Sequence, residues 1–459
     1  MSNRFKKGVA AEFAPMQKEL TVSCLALLFF GCSVIALAAS VSADSGRCLY
    51  LRPYNLHLSM GKTSRKPLRI YNAGGKRVPG PVTIYHEDTL LSIDSKGYVT
   101  PRKKEREGQI GEWVGAHING DWAHNWSIVR VLSKDYGLKF KEISSKNVTL
   151  YFPKSVPNSY VADIVPWVKQ QQMLKILEYS YRLMSEMMML RPFEGCRQIF
   201  EVDMGEGESS RVCGINGNPI RLGWNITGES LNNCFILNED TPQWGVILHE
   251  MGHNFTLPST VYRRGLLPGR GWDDFMYTEH GAQVLSWVVM QIASENLALN
   301  ATASRALPEV NLYEQNIERQ YFEEWVQRGA RHHGMGSPEV NTIWMDFMNE
   351  YGEKFAWRYF YLLAPHHEDR LDRILNKVER SGGKGRHSFF AALVSAAANE
   401  NLYKRLKKKY HFKMKKALYK DARDVMKNLL KEEFVARQSS TKESVPYPAS
   451  NWEGCSLRR

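Results

Sequence analysis

The residues with the most chemical content stand in one short run, His249-Glu250-Met251-Gly252-His253, preceded by Trp244-Gly-Val-Ile-Leu248. On a helix, residues four apart share a face one turn apart, so both imidazoles can reach one ion. Zinc takes imidazole nitrogens at about 2.0–2.1 Å, which demands such convergence. Glu250 stands beside the first histidine, where a carboxylate can take a proton from metal-held water. Zinc brings the pKa of such a water to about 7. The chemistry expected here is metal-assisted hydrolysis. Thr241 and Pro242 suit the N-cap and first position of the helix, and the run Phe255 to Pro258 ends it soon after the second ligand.

A catalytic zinc takes three protein ligands and keeps a fourth position open. The metzincin continuation needs Gly at 256 and His at 259; Thr256 and Ser259 stand there, so the third ligand comes from elsewhere. The candidates are Asp273, Asp274, Glu279 and His280. Glu279 opens Glu279-His-Gly-Ala-Gln-Val-Leu-Ser-Trp-Val-Val, patterned as a second amphipathic helix able to pack on the first. The two aspartates follow Gly269-Arg-Gly-Trp272 in a loop and have a shorter reach. Tyr277, two residues before Glu279, is a candidate for oxyanion stabilisation or for a supporting place behind the ligands. His332-His333 and His366-His367 read as ordinary surface pairs, since neighbours on a helix point in different directions.

Helical periodicity that would carry these residues runs over 244–255 and 277–296, then over 340–363, 369–380 and 387–409. Residues 161–189 read as a long helix, with Met188-Met189-Leu190 as core filler. Residues 147–152 read as a strand, 201–218 as Gly-rich loop and 438–459 as a tail. Between Leu56 and Leu132 the pattern has period two, in short runs such as Val82-Thr-Ile84-Tyr85 and Ile128-Val-Arg-Val131. Turn signals such as Asn72-Ala-Gly-Gly75 and Asp94-Ser-Lys-Gly97 separate them, which points to a small antiparallel sandwich. The order "SIDSKGYVTP … GEWVGAHING … WSIVRV" resembles the later strands of bacterial-type Ig-like domains. The expected fold is therefore multidomain: an all-β Ig-like sandwich over 47–134, a mixed α+β, helix-rich unit over 144–415, and a basic helix and tail over 416–459.

A chain of 459 residues has room for two or three domains. Its 43% hydrophobic and 24% charged shares exclude a chain that is mainly disordered, and a mean hydropathy of −0.40 excludes a polytopic membrane protein. The net charge of +13 is concentrated in one stretch, Lys404 to Lys416, where aromatics are sparse and no nucleic-acid-binding signature stands. A solvated basic helix is the reading there, with sulfated or sialylated polymers as the sharper alternative and nucleic acid set aside. Residues 20–39 are uncharged and apolar, follow Arg4, Lys6, Lys7 and Lys18, and lead to Val41-Ser42-Ala43. Residues 1–43 are thus expected to be a secretory signal ending at Ala43, or an uncleaved type II anchor tethering the protein through 20–39. Both place the remainder outside the cytosol. Five N-x-S/T sequons, at Asn125, Asn147, Asn225, Asn254 and Asn300, agree with that compartment. Asn254 touches the histidine motif, and a glycan there would crowd the cleft, so it is expected to be unmodified. Of Cys48, Cys196, Cys213, Cys234 and Cys455, one or two pairs are expected to be bridged, with the pairing unreadable.

The motif and its surroundings resemble the enhancin-type metallopeptidase family. "QWGVILHEMGHNF" followed by "YTEHGAQVLS" matches that family's HExxH, spacer, Glu signature. "GINGNPIRLGW" is similar to its Gly-rich strand upstream of the zinc helix, and "FMNEYGEKFAWRYF" and "FFAALVSAAANENLYKRL" to its C-terminal helices. The likeness covers roughly residues 144–412. It implies a zincin-type (gluzincin) fold and a secreted zinc endopeptidase acting on mucin-like glycoproteins. Carried over by position, it implies His249 and His253 as ligands, Glu250 as general base and Glu279 as third ligand. The chain departs from the family at Asn216, Asn218 and Thr256, where His, Tyr and Gln are usual, positions that bear on substrate and glycan contacts. The alternative is a non-catalytic glycan- or surface-binding adhesin with a vestigial zinc site.

Overall fold

Short apolar alternations between residues 49 and 132 become nine strands of the computed structural model. The structure describes residues 47–87, 90–105, 111–154, 167–206, 216–226, 244–268, 276–297, 315–330 and 335–439. Residues 1–43, 207–215, Asp273, Asp274, His332, His333, Asn300, Cys213, Cys234, Cys455 and residues 440–459 lie outside them. The strands are β1 (Leu49–Arg52), β2 (Asn55–Ser59), β3 (Arg69–Asn72), β4 (Val82–Tyr85), β5 (Leu91–Ile93), β6 (Val99–Pro101), β7 (Glu112–Ile118), β8 (Asp121–Trp122) and β9 (Ser127–Leu132). One sheet runs β2-β9-β7-β4 with β8 on β7, beside the pairs β1-β3 and β5-β6. Side chains alternate across a strand. Val114, Ala116 and Ile118 of β7 therefore join Leu68, Ile70, Leu91 and Val129 in a small core, while Trp113, Gly115 and His117 face the other way. The pairing of β2 with β9 is parallel rather than antiparallel. A parallel pair needs a long crossover, and the intervening strands supply it.

A second sheet has the order β10-β11-β12-β13, from β10 (Phe140–Ser144), β11 (Val148–Pro153), β12 (Gln198–Gly205) and β13 (Ile220–Asn225), which lies at its edge. The pairs β11-β12 and β12-β13 are parallel, and helix α1 (Trp167–Met188) makes the crossover between β11 and β12. Strand β10 escapes a sequence reading because only Ile143 in it is buried, so no alternation shows. Met188 fills the core as expected, with Met184 and Met187 beside it and Leu190 partly buried, but Met189 has left the helix with φ 47 and is exposed.

The rest is helical: α2 (Trp244–Thr256), α3 (Thr260–Arg263), α4 (Met276–Asn296), α5 (315–327), α6 (Ser337–Tyr351), α7 (Glu353–Leu362), α8 (Glu368–Arg380), α9 (Gly382–Ala397), α10 (Tyr403–Lys409) and α11 (Lys416–Ser439). The single helix expected over 340–363 is two, because Gly352 takes φ 72, a left-handed value open to glycine. The stretch 387–409 is also divided, around Asn399 at φ 55. In α11, Leu418, Tyr419, Ala422, Met426 and Leu429 are buried in the same core as α2 and α4. The basic stretch is the outer surface of these helices; Arg405 pairs with Glu350 and Lys409 with Asp346. The architecture is mixed α+β, with sheets in the N-terminal part and a helix-rich C-terminal part. Among the described residues no helix is long and apolar enough to cross a membrane.

The two parts are locked together. Cys48, just ahead of β1, is bridged to Cys196, just ahead of β12. Arg52 donates two hydrogen bonds to Glu142, at 2.9 and 3.0 Å. Beneath them Arg130 of β9 lies between Glu105 and Asp203, each at 3.4 Å. Arg221 of β13 hydrogen-bonds Asp203 and faces Glu201. Arg130, Glu201, Asp203 and Arg221 are buried, while Arg52 and Glu142 are only half-buried.

Candidate metal centre

Helix α2 has two faces. Ile247, Leu248, Met251 and Phe255 are fully buried in the main core, which leaves His249, Glu250 and His253 on the opposite side. Their ring centroids put His249 and His253 4.6 Å apart, as the spacing of one turn requires. Helix α4 is held down by Val284, Leu285, Trp287, Val288 and Val289, and its first turn carries Glu279.

What brings the two helices close enough is glycine. A Cβ on Gly252 would stand 2.9 Å from the Ala282 carbonyl oxygen and 3.0 Å from the Ala282 Cα, distances real Cβ atoms do not tolerate. Gly281 on α4 is packed just as closely by the ring of Tyr262. Glu279 lies one turn before Ala282 and His249 one turn before Gly252, so this crossing delivers the carboxylate to the imidazoles. Glu279 Oε2 is 2.8 Å from His249 Nε2, and Oε1 is 3.4 Å from His253 Nε2.

These three residues form the one group of metal-ligating side chains found among the described residues, with donor atoms all within 4.8 Å of one another. Two imidazole nitrogens and a carboxylate oxygen are a donor set for a divalent transition ion, and the carboxylate–imidazole distances of 2.8 and 3.4 Å are those of ligands that could share one centre at about 2 Å. They fit a metal ion. Their charges agree. Burial pushes the Glu279 carboxyl up, but His253 and His249 beside it outweigh this and hold it below the usual carboxylate range. Its side chain keeps 38% of its surface open, so the histidines are the deciding influence. The Glu250 carboxyl is raised, chiefly by burial and further by Glu279, with His253, His249 and a hydrogen bond from the Asn216 backbone opposing the rise.

The remaining sequence candidates separate cleanly. His280 points away from the group: Nδ1 is 2.5 Å from Asn341 Oδ1 and Nε2 is 2.9 Å from Tyr359 Oη. Burial lowers its pKa to about 4, so it is a neutral core histidine. The rings of His366 and His367 lie tilted against each other, centroids 3.8 Å apart; His367 is not a surface residue as expected but buried, with a pKa lowered to about 3 chiefly by burial. Tyr277 lies in the first turn of α4, its side chain outside the described residues, as are Asp273 and Asp274. Thr256 is buried and donates to the Gly252 carbonyl oxygen within its own helix.

Sequence reasoning passed over what holds Glu250 from the other side. Asn254, one turn after Glu250, accepts from the Gly217 N–H at 2.9 Å and donates to the Gly217 carbonyl oxygen and to Gln198 Oε1. Its side-chain nitrogen is thus engaged and the residue is buried, which leaves no room for a glycan. The same is true of Asn125, whose Nδ2 donates to the Leu51 and Trp126 carbonyl oxygens. The only trace of this in the sequence is an accumulation of short amides, Asn216, Asn218 and Asn254, around a glycine. A scan of protein-family models finds none that matches the chain, and a search of curated proteins finds no match.

Proposed function

We propose that this chain is a zinc-dependent endopeptidase acting outside the cytosol, with glycosylated, mucin-like proteins as its substrates. One observation carries the reading: His249, His253 and Glu279 converge, with Glu250 interleaved on the same helix. Zinc is favoured over other ions by the donor set, two imidazoles and one carboxylate with room for a fourth ligand. When bound, it would supply Lewis acidity toward the scissile carbonyl and acidify the attacking water. Glu250 accepts that water's proton on its carboxylate and returns it to the leaving amine, as a general base and then a general acid. Its raised affinity for a proton suits the second half of that task. Glu279, kept ionised by its two histidines, supplies the anionic ligand.

In this reading the helix-rich part is a zincin-type (gluzincin) unit and the N-terminal strands are an Ig-like sandwich. Residues 1–43 act as signal peptide or type II anchor through 20–39. The Cys48–Cys196 bridge supports an oxidising compartment. A second reading, a glycan- or surface-binding adhesin with a vestigial metal site, is favoured by one feature. Tyr85 and Trp122 lie exposed on the outer face of the first sheet, rings 4.8 Å apart, with Tyr85 Oη 2.8 Å from His117 Nε2. Incubating the protein with a glycosylated and a deglycosylated mucin, then sequencing the fragments, separates the two. Cleavage abolished by chelator and by Glu250→Gln is the expected result; binding without cleavage by fully zinc-loaded protein would leave the adhesin.

A further inference from the structure

The loop ahead of β13 touches three parts of the molecule at once. At one end lies Asn216, whose backbone is among the influences that lower the proton affinity of Glu250. In the middle, Gly217 is gripped on both sides: its N–H donates to Asn254 Oδ1, and its carbonyl oxygen accepts from Asn254 Nδ2 and from Gln198 Nε2, the last at 2.8 Å. At the other end, the Asn218 side chain accepts from the Ile199 N–H at 2.8 Å and donates to the His124 carbonyl oxygen at 2.7 Å and the Arg197 carbonyl oxygen at 3.0 Å. The Asn218 main-chain oxygen accepts from the Trp126 N–H at 2.8 Å.

His124 and Trp126 belong to the N-terminal β region, Ile199 and Arg197 to the second sheet, and Asn254 to the metal-binding helix. Asn218 is 2% exposed, so each of these bonds is made away from competing water. A segment held at one end by the N-terminal region and at the other by Asn254, one turn after the general base on the same helix, transmits position from one to the other.

We propose that Asn218 is a positioning residue. Through its bonds to His124 and Ile199 it fixes residues 216–218 against Asn254 of the metal-binding helix, beside Glu250, and so makes the N-terminal β region part of the catalytic apparatus rather than a spacer. The catalytic half of this statement rests on the peptidase reading above; the positional half does not. A buried hydrogen-bonded amide holds a loop only while both its donor and its acceptor are used. Removing the donor alone should release the loop while the fold and the metal ligands stay in place.

The test uses the full chain, zinc-loaded, as wild type and as Asn218→Asp, which keeps the acceptor for Ile199 and removes the donor to His124. Asn218→Ala serves as a second variant. Hydrogen exchange is followed at the amides of 216–217 and, as an internal reference, along α2 and α4. Zinc content, kcat and KM on a peptide substrate are measured in parallel. The expected result is exchange at 216–217 at least about tenfold faster in both variants, with α2 and α4 unchanged and zinc retained. The kcat should fall by about tenfold or more with KM within about twofold, the signature of a lost transition-state alignment. Unchanged exchange at 216–217 overturns the proposal, as does exchange that rises everywhere in both variants, which marks a plain folding role. A wild type with no chelator-sensitive cleavage overturns the peptidase reading alone, since the exchange measurement still decides what Asn218 does.

Discussion

Among the described residues two clusters of ionisable groups, one buried and one partly open, are built on opposite plans. At the junction of the two parts, Arg130 and Arg221 face Glu105, Asp203 and Glu201, so fixed cations sit among the anions. Burial pushes the Asp203 carboxyl up, but Arg130 and Arg221 outweigh it and hold the group below its ordinary value. Glu201, more poorly paired and beside Asp203, is driven well above its own by burial. At the other cluster, His249, His253 and Glu279 offer lone pairs and no permanent positive charge of their own. Buried charges persist only when paired. The first cluster is complete as it stands and holds two parts together; the second is a set of donors arranged for a cation that arrives from outside.

The contrast can be attacked from either side. The largest effect is expected at Glu250→Gln, which keeps the side-chain shape and loses the base. Peptide hydrolysis should fall by about a thousandfold or more, while zinc measured by atomic absorption stays near one per chain. Loss of metal in that variant would instead make Glu250 a structural partner of the site. Glu279→Ala comes next: equilibrium dialysis should show zinc binding weakened by roughly a hundredfold or more, whereas Asp274→Ala should leave it unchanged. The reverse pattern would move the third ligand to the loop.

At the completed cluster, Arg221→Met removes a cation and leaves Asp203 and Glu201 to share Arg130 alone. A loss of about 3–5 kcal/mol in unfolding free energy is expected, with metal affinity kept, as urea titration would show. An unaffected midpoint would mean that the junction contributes nothing to holding the parts together. Smallest is the effect at Glu353, a carboxyl with no cation and no metal, raised to about 7 by burial and by Glu295. The folded state binds this proton more tightly than the unfolded state, so its contribution is full below the unfolded value and declines as pH rises through about 7. Glu353→Gln should therefore flatten the fall in stability between pH 5 and 8 by on the order of 1–2 kcal/mol, allowing for its partial exposure.

How legible each cluster was follows from how local it is. His249, Glu250 and His253 lie within one helical turn, and Glu279 opens the next strongly periodic segment, so spacing alone points to them. Strands such as β4 and β7 were readable because they alternate against a core on one side, whereas β8, with both residues exposed, left no such signal. The junction was not readable: Arg130, Asp203 and Arg221 are ordinary residues in three strands until those strands meet. The Cys48–Cys196 pairing, with a sequence separation of 148, depends on the same meeting. Gly252 was visible inside the motif, but its meaning requires knowing that Ala282 lies above it. The break at Gly352 was missed because the apolar pattern continues across it.

The bridge at Cys48 has a mechanical consequence. It sits at the very entrance of the described chain and fastens that entrance to the strand feeding the second sheet. If residues 20–39 moor the protein in a bilayer, a tug on the mooring enters at Cys48 and leaves through Cys196 into β12. The strands between them are bypassed. Drag from a viscous substrate would then be borne by one covalent link, and the ladder of β1 with β3 would not have to resist being unzipped.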